Sequence, residues 1–218
     1  MPVSRRSVLH AAIGSAGVIV AESALAAPAG ASAGATDARR RLVGPDPAYT
    51  GTFTPNGWPV NRQAGIGGSV WPRPVVGTGA SVEVSMGEVE EVLVHVLRRF
   101  HYEIATLGPG DIVGFRTAAG LRGQQRNHAS GTAVDVLPGH YPAGSAGNFY
   151  PAQLAVIRDV LKQCQGVVRW GGDFKTPDEA HFQIGVSPGN PALSRLAATL
   201  RRWRETAGQG AGATGLTA

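Results

Sequence analysis

A histidine and an aspartate seven residues apart stand out in the middle of the chain. His128 lies just before the turn residue Gly131, and Asp135 lies within the apolar stretch that follows. If that stretch is a strand, Ala133, Asp135 and Leu137 share one face of it. A carboxylate on an apolar strand is costly to bury unless it is hydrogen-bonded or bound to a metal. Taken alone, the residues fit a hydrogen-bonded His–Asp pair that stabilises a turn as well as they fit part of a metal site.

A second group of polar residues follows further along the chain. His181 opens another apolar stretch, and Asp178 lies three residues earlier on the preceding loop. Together, His128, Asp135 and His181 form a three-ligand zinc set with an open fourth position, which is typical of catalytic zinc. A water molecule bound to zinc in such a site has a pKa of about 7, and a carboxylate that is not a ligand can take its proton. Asp178 is a candidate for this general base, and its neighbour Glu179 competes weakly for the same role.

Both groups resemble the motifs of the zinc D,D-peptidases of bacterial cell walls. These are the VanY-type D-alanyl-D-alanine carboxypeptidases and the related L-alanyl-D-glutamate endopeptidases of phage lysins. The first motif of that family, H-x-x-G-x-A-x-D, is matched in full by residues 128–135. The second motif is an acidic residue three before a histidine, often as D-x-x-H-F-E/Q after W-G-G, and residues 170–172 and 178–183 match it. The resemblance covers residues 85–186.

The resemblance implies a zinc metallopeptidase that hydrolyses peptide bonds in the stem peptides of peptidoglycan, either as a carboxypeptidase or as an endopeptidase. It implies His128, Asp135 and His181 as the zinc ligands and Asp178 as the base. An upstream Gly-Phe-Arg-Thr stretch is similar to the family's G-x-R-S/T element, whose arginine faces the substrate or the developing oxyanion. In this chain that arginine is Arg116.

The chain departs from the family pattern in two places. Arg126 stands where the family usually has a serine, two residues before the first ligand histidine. The span from Arg116 to His128 is also short, so Arg122 is an alternative for the substrate or oxyanion role. Each of these two arginines fits equally well as a plain surface residue. A non-catalytic, zinc-containing domain that binds the cell wall is the alternative function, and a measurement of hydrolysis separates the two.

The elements that must position these residues follow from the hydrophobic periodicity. Apolar residues at helical spacing predict three helices, over residues 88–102, 151–165 and 191–205. Short apolar stretches predict four strands, over residues 111–115, 132–137, 167–170 and 181–186. This mixture predicts an α+β domain, with a small antiparallel sheet and flanking helices. The family resemblance implies the fold of the hedgehog and D,D-peptidase group.

The beginning of the chain has the features of an export signal. Arg5 and Arg6 precede a mildly apolar stretch, and residues 24–26 supply the small residues of a cleavage site. We therefore expect residues 1–26 to be a twin-arginine signal peptide, with an uncleaved N-terminal anchor as the alternative. The mature protein would then be extracytoplasmic, either in the cell wall or secreted.

Composition predicts how the rest of the chain is organised. Of the 218 residues, 31 are glycine and 15 are proline, and many of them lie near the two ends. We expect residues 27–79 to be a low-complexity and irregular linker, residues 80–206 the zinc peptidase domain, and residues 207–218 a flexible tail. The single cysteine, Cys164, excludes an internal disulfide and every site with several cysteine ligands. Its position on the apolar side of a helix predicts a small buried hydrophobe.

Charge and absent motifs exclude other classes of protein. The formal net charge is +5, and it is +4 without residues 1–26, which suits an anionic cell wall. The chain lacks a basic helix interleaved with aromatic residues, so we expect no nucleic-acid partner. Its two lysines, Lys162 and Lys175, lie in neither the S-x-x-K nor the K-T-G motif of serine D,D-peptidases. We expect no stable membrane span once the signal is removed, and a monomer.

Overall fold

The computed structural model describes residues 48–211. The predicted signal peptide at residues 1–26 lies outside this range, and so do residues 27–47 of the predicted linker. Export therefore stays a prediction. Within residues 48–211, no helix is both long enough and apolar enough to cross a membrane.

Short strands alternate with helices along this part of the chain. In order, its strands and α-helices are β1 (Tyr49–Phe53), β2 (Pro59–Asn61), β3 (Val70–Val75), β4 (Ala80–Ser85), α1 (Glu88–Glu103), β5 (Ile112–Val113), β6 (Ala133–Val136), α2 (Pro151–Gln163), β7 (Val168–Trp170), β8 (His181–Ile184) and α3 (Pro191–Glu205). Two 3₁₀ helices, Gly123–Ser130 and Gly171–Asp173, precede β6 and follow β7. The predicted α+β class is confirmed.

An antiparallel sheet in the order β5-β6-β8-β7 is the framework of the molecule. Its two central strands have opposite faces of different character, because successive side chains of a strand alternate. Val134 and Phe182 belong to the hydrophobic core beneath the helices. Asp135 and His181, which are direct partners in the register of β6 and β8, lie on the other face. The sheet therefore separates a dry core from a polar site.

Helix α1 covers the apolar face of this sheet. It contacts β6 and β8 on one side and both other helices on the other. Its buried side chains follow the predicted helical spacing: Val89, Val92, Leu93, Val96, Leu97 and Phe100. Cys164, at the end of α2, is fully buried, and burial raises the pKa of its thiol to about 12. The prediction of Cys164 as a buried hydrophobe is therefore confirmed.

The prediction of an irregular linker is wrong for the described part of residues 27–79. Strands β1 and β2 form one antiparallel hairpin, and β3 and β4 form another. Strand β3 was not predicted because it contains Pro72 and Pro74, and proline cannot donate a hydrogen bond to a sheet ladder. Strand β3 tolerates the two prolines because it is an edge strand. Among residues 48–211 it pairs with β4 alone, and its other edge forms no ladder hydrogen bonds.

Smaller differences concern the element ends and the tail. The strand predicted over residues 111–115 is limited to β5, Ile112–Val113. Beyond it, Phe115 N donates a hydrogen bond to the carbonyl oxygen of Glu83 in β4 at 2.8 Å. Helix α2 ends before the predicted residue 165, whereas α3 has the predicted bounds. The beginning of the predicted flexible tail packs against the domain, because Ala211 is buried and its carbonyl oxygen accepts a hydrogen bond from Arg98 Nη2 at 3.4 Å.

Candidate metal centre

The three predicted zinc ligands converge on one oxygen atom. Oδ1 of Asp135 lies 3.0 Å from Nε2 of His128 and 2.8 Å from Nδ1 of His181. One ligand atom from each residue lies within 4.8 Å of the others, and all three residues are buried. The structure therefore brings together, in space, residues that are up to 53 positions apart in the chain.

The backbone around His128 explains the spacing of the first motif. The 3₁₀ helix Gly123–Ser130 ends at Gly131, which has a left-handed φ of 65°. A side chain there would also be obstructed, because a Cβ atom would lie 2.7 Å from the backbone nitrogen of Ser85. Glycine thus lets the chain reverse direction tightly beneath β4. The reversal brings Asp135 in β6 back beside His128.

Each histidine is held by an acceptor on the ring nitrogen that faces away from Asp135. Nδ1 of His128 lies 2.6 Å from the carbonyl oxygen of Gly114. Nε2 of His181 lies 2.9 Å from Oε1 of Gln183. Both partners are oxygens that can only accept, so these ring nitrogens carry the protons in the neutral tautomers. The nitrogens that face Asp135 are then lone pairs, as metal-ligating histidines require.

This donor set fits a zinc ion. Two imidazole lone pairs and a carboxylate oxygen, all acceptors, point into one buried place and need a cation between them. Histidine and carboxylate ligands in a set of three suit Zn²⁺. Burial raises the pKa of the Asp135 carboxyl, but when the rings of His128 and His181 are protonated their hydrogen bonds and charge outweigh burial and hold that pKa well below its ordinary value. The carboxylate is therefore ionised, as a ligand must be.

Asp178 lies beside this cluster without belonging to it. Its backbone nitrogen donates to the carbonyl oxygen of Gly171 at 2.9 Å, and its own carbonyl oxygen accepts from His181 N at 3.0 Å. The side-chain amide of Gln125 donates to Asp178 Oδ2 at 2.6 Å and lies 3.3 Å from His181 Nδ1. The structure thus brings the predicted base next to the predicted ligands and adds Gln125 between them.

The carboxylate of Glu179, the alternative base, binds a loop away from the cluster of predicted ligands. Its Oε1 accepts a hydrogen bond from Gly147 N at 2.8 Å. Its Oε2 accepts from the backbone and side-chain nitrogens of Asn148, at 2.9 and 2.8 Å. Both oxygens therefore hold the loop before α2. Of the two neighbouring acids, only Asp178 contacts the surroundings of the metal cluster.

The two candidate arginines lie in different places. Arg116 is exposed, and its Nη1 donates to Oε1 of Gln125 at 3.3 Å. Arg122 lines an open cleft of about 630 Å³, together with Gln125, Asp178 and His181. Arg116 does not line this cleft. The structure therefore connects Arg116 to the base through Gln125 and connects Arg122 to the space in front of the base.

Buried amides behind the cluster are functional candidates that sequence reasoning missed. Oε1 of Gln183 accepts from Asn127 Nδ2 at 2.7 Å, and Gln183 Nε2 donates to Gln124 Oε1 at 2.9 Å. Asn127 Oδ1 in turn accepts from Asn56 N at 3.3 Å, in the turn between β1 and β2. This chain of amides, Asn56–Asn127–Gln183, ends on the ring of His181. The first hairpin is therefore attached to the metal centre.

Two of the missed residues carried a sequence signal. Gln125 lies three positions before His128, and side chains at this spacing lie on the same side of a 3₁₀ helix. Gln183 lies two positions after His181 and thus on the same face of a strand. Asn56 had no such signal, because it lies more than seventy positions from His128.

The protein is thus a small α+β domain with a buried His–Asp–His cluster that could hold a metal ion. Residues 120–184 match a family model of the M15 peptidases, described as D-alanyl-D-alanine carboxypeptidase. The match spans less than a third of the chain, includes His128, Asp135, Asp178 and His181, and leaves out Arg116. It supports a metallopeptidase in general. No curated protein and no solved structure matches the chain.

Proposed function

We propose that the protein is an exported zinc metallopeptidase that hydrolyses peptide bonds in the stem peptides of peptidoglycan. The observation that carries the proposal is the Asp178 carboxylate beside the buried cluster of His128, Asp135 and His181, at an open cleft. The M15 family match over the same residues supports it, since peptidases of this family are in general zinc-dependent.

Nε2 of His128, Oδ1 of Asp135 and Nδ1 of His181 would hold the zinc ion. When bound, zinc supplies a Lewis acid and lowers the pKa of a water to about 7. The Gly114 carbonyl and the Gln183 amide fix the two imidazole rings from behind. Partners of this kind set the tautomer and the basicity of ligand histidines.

Asp178 would act as the general base and then as the general acid. The Gln125 amide binds Oδ2 and fixes the plane of the carboxylate. Oδ1 has no hydrogen-bond partner among residues 48–211, so it is available to take a proton. It would remove that proton from the attacking water and return it to the amine that leaves when the peptide bond breaks.

Arg122 would contact the substrate in this arrangement. It lines the cleft together with Asp178 and His181, so its guanidinium can bind a peptide carboxylate or the oxyanion of the transition state. Arg116 would act indirectly, because its guanidinium contacts the side-chain oxygen of Gln125. Both a carboxypeptidase and an endopeptidase are consistent with this division of roles.

Export completes the proposal. Residues 1–26 would direct the folded protein through the twin-arginine pathway to the cell wall, and the net charge of +4 that remains without Arg5, Arg6 and Glu22 favours contact with an anionic polymer. A protein whose single cysteine is buried needs no disulfide to fold before export.

The test is digestion of purified stem peptides and peptidoglycan by the zinc-loaded protein, followed by mass spectrometry. We expect products with new amine and carboxyl termini, and none with an Asp178→Asn control. The masses of the products identify the bond that is cut. One zinc per chain without new termini would refute the enzyme and favour a wall-binding domain with the same metal centre.

A further inference from the structure

A second cleft adjoins the one that contains Asp178 and His181. It has a volume of about 440 Å³ and lies between α2, β7 and the residues that follow β7. We call it the basic cleft, lined by Arg158, Leu161, Lys162, Gly166, Val168, Arg169, Trp170, Asp173 and Phe174. The first, the catalytic cleft, shares Arg169, Asp173 and Phe174 with it. Because these residues line both, the two clefts adjoin, and we call them together the groove.

Positive charges outnumber negative charges along this groove. Arg122 and Lys175 line the catalytic cleft, Arg158 and Lys162 line the basic cleft, and Arg169 lines both. The acidic lining residues are Asp173 and Asp178. Lys162 and Lys175 are also the only two lysines of the chain. The groove therefore has an excess of positive charge on both sides of Phe174.

Arg158 and Asp173, which both line the basic cleft, form an ion pair with each other. Nη1 and Nη2 of Arg158 each donate to one oxygen of Asp173 at 2.7 Å, and the guanidinium lies 5.0 Å above the ring of Trp170. This pair contributes no net charge. In the part of the chain that the structure describes, Arg122, Lys162, Arg169 and Lys175 are exposed and form no ion pair.

The remaining cations face an apolar background. Arg169 lies over the ring of Phe174 at 5.2 Å, and Leu161, Val168 and Trp170 form the adjoining wall of the basic cleft. Such a surface suits a peptide, which offers small apolar side chains as well as carboxylates. A sugar-phosphate polymer offers the negative charge without the apolar groups. The mixture of charge and apolar wall therefore favours a peptide as the occupant.

We propose that the basic cleft binds the free carboxylates of an acidic peptide segment that extends from, or is cross-linked to, the strand hydrolysed in the catalytic cleft. This proposal rests on the proposed peptidase function and adds a substrate preference to it. Lys162 and Arg169 would contact the carboxylates on the far side of Phe174. A terminal dipeptide alone would not reach them, so the preference appears only with longer acidic substrates.

The preference can be measured with two peptides of one sequence. In the first peptide the side-chain carboxylates beyond the scissile bond are free, and in the second they are amidated. Two exposed cations acting on carboxylates give roughly tenfold in kcat/KM, and this factor shrinks as salt is added. We expect the wild-type protein to cleave the acidic peptide about tenfold more efficiently than the amidated one.

Charge reversal tests whether Lys162 causes the preference. In Lys162→Glu we expect the ratio of kcat/KM values to fall to about one. The matched control is Arg202→Glu on α3, which reverses an exposed cation whose side chain contacts Thr199 and none of the groove residues. It should keep the wild-type ratio. An equal ratio in the two variants, or no preference in the wild type, would overturn the proposal. Stronger inhibition by polyphosphate than by polyglutamate would also overturn it, in favour of a phosphate polymer.

A binding measurement separates this proposal from the proposed function. The fluorescence anisotropy of the same two labelled peptides is measured with Asp178→Asn, which should not turn them over. Preferential binding of the acidic peptide, lost on adding Lys162→Glu, supports the basic cleft even if the wild type cleaves neither peptide. Cleavage by the wild type with equal binding of both peptides contradicts the basic cleft and leaves the peptidase intact.

Discussion

The carboxylate of Asp178 and the ring of His181 meet at one amide group. Nε2 of Gln125 lies 2.6 Å from Asp178 Oδ2 and 3.3 Å from His181 Nδ1. The same side chain accepts a hydrogen bond from Arg116 through Oε1. A residue absent from the predicted set therefore connects the predicted base, a predicted ligand and a predicted arginine.

Gln125 is expected to position the base. Gln125→Ala should retain zinc and lose about ten- to a hundredfold in kcat, a range measured for residues that orient metal sites. Gln125→Glu adds a negative charge beside Asp178 and favours its protonated form, so the acidic limb of the pH–rate profile should move to higher pH. The measurement is kcat against pH for both variants. A profile unchanged in position in Gln125→Glu would rule out the positioning role.

The neighbours Asp178 and Glu179 should respond differently to the same change. Asp178→Asn should keep one zinc per chain and lose about 10²–10⁴ in kcat, because it removes the proton acceptor. Glu179→Gln should keep most of its kcat and lose about 1–3 kcal/mol of unfolding free energy, because it leaves loop donors unpaired. Stem-peptide kinetics and urea denaturation test the pair. The reverse pattern would assign the base to Glu179.

The two arginines can be told apart by kinetics. Arg122→Ala should lower kcat/KM for stem peptides by about 10²–10³, if its guanidinium contacts the oxyanion or a substrate carboxylate. Arg116→Ala should cost less, because Arg116 reaches the site through Gln125. The double variant Arg116→Ala/Gln125→Ala should lose little more kcat/KM than Arg116→Ala, since the two residues act together. A larger effect at Arg116 than at Arg122 would exchange the two roles.

The amide of Gln183 should control zinc affinity. Gln183→Leu removes the acceptor of the His181 Nε2 proton and should weaken zinc binding by about ten- to a hundredfold. Gln183→Glu restores that acceptor and should recover most of the affinity. Zinc competition with a chromogenic chelator gives both values. Equal loss in the two variants would mean that packing around Gln183, rather than its oxygen, matters to the metal centre.

Sequence analysis could group His128, Asp135 and His181 because each of the two motifs has local constraints and the family resemblance joined the motifs. Gly131 must follow His128 closely for the chain to reverse, and strand alternation then fixes the face on which Asp135 lies. The alternation in β8 likewise separates His181 from the core residue Phe182. These relations hold within a few positions of the chain, so residue spacing records them.

The parts that sequence analysis missed depend on distant contacts. Gln125 meets Asp178 across 53 positions, and Asn56 meets Asn127 across 71. Local spacing does not connect residues so far apart, and the two family motifs that joined His128 to His181 over the same distance contain neither Gln125 nor Asn56. Strand β3 was missed for a different reason, since Pro72 and Pro74 indicate a loop unless their strand lies at an edge. Tertiary contacts, rather than local propensity, therefore determine the positions of Gln125 and Asn56 and the formation of β3.

His95 gives the protein a dependence on pH that is separate from the metal centre. It is buried in α1, 3.2 Å from Gln163 Oε1, with Arg99 bound to the same oxygen at 2.7 Å. The pKa of His95 is lowered from 6.5 to about 4, chiefly by burial and also by the charges of Arg99 and Arg98, whereas the hydrogen bond to Gln163 opposes this shift. The folded protein thus keeps this ring neutral at pH values where the unfolded chain protonates it.

The sign of the effect follows from linkage. Above pH 6.5 the ring is neutral in both states and His95 contributes no pH dependence. As the pH falls from 6.5 towards 4, only the unfolded state binds the proton, so stability is lost, reaching about 3 kcal/mol below both values. Removing the titrating group by His95→Gln should therefore flatten the decline in stability over this interval.

The measurement is urea denaturation of wild type and His95→Gln between pH 4 and 8, with chelator present so that zinc release does not contribute. The difference in unfolding free energy between the two proteins should shift in favour of His95→Gln by about 3 kcal/mol as the pH falls. His140→Gln, at an exposed loop residue, is the matched control and should follow the wild type. Parallel curves for His95→Gln and the wild type would show that the buried ring does not set the acid stability.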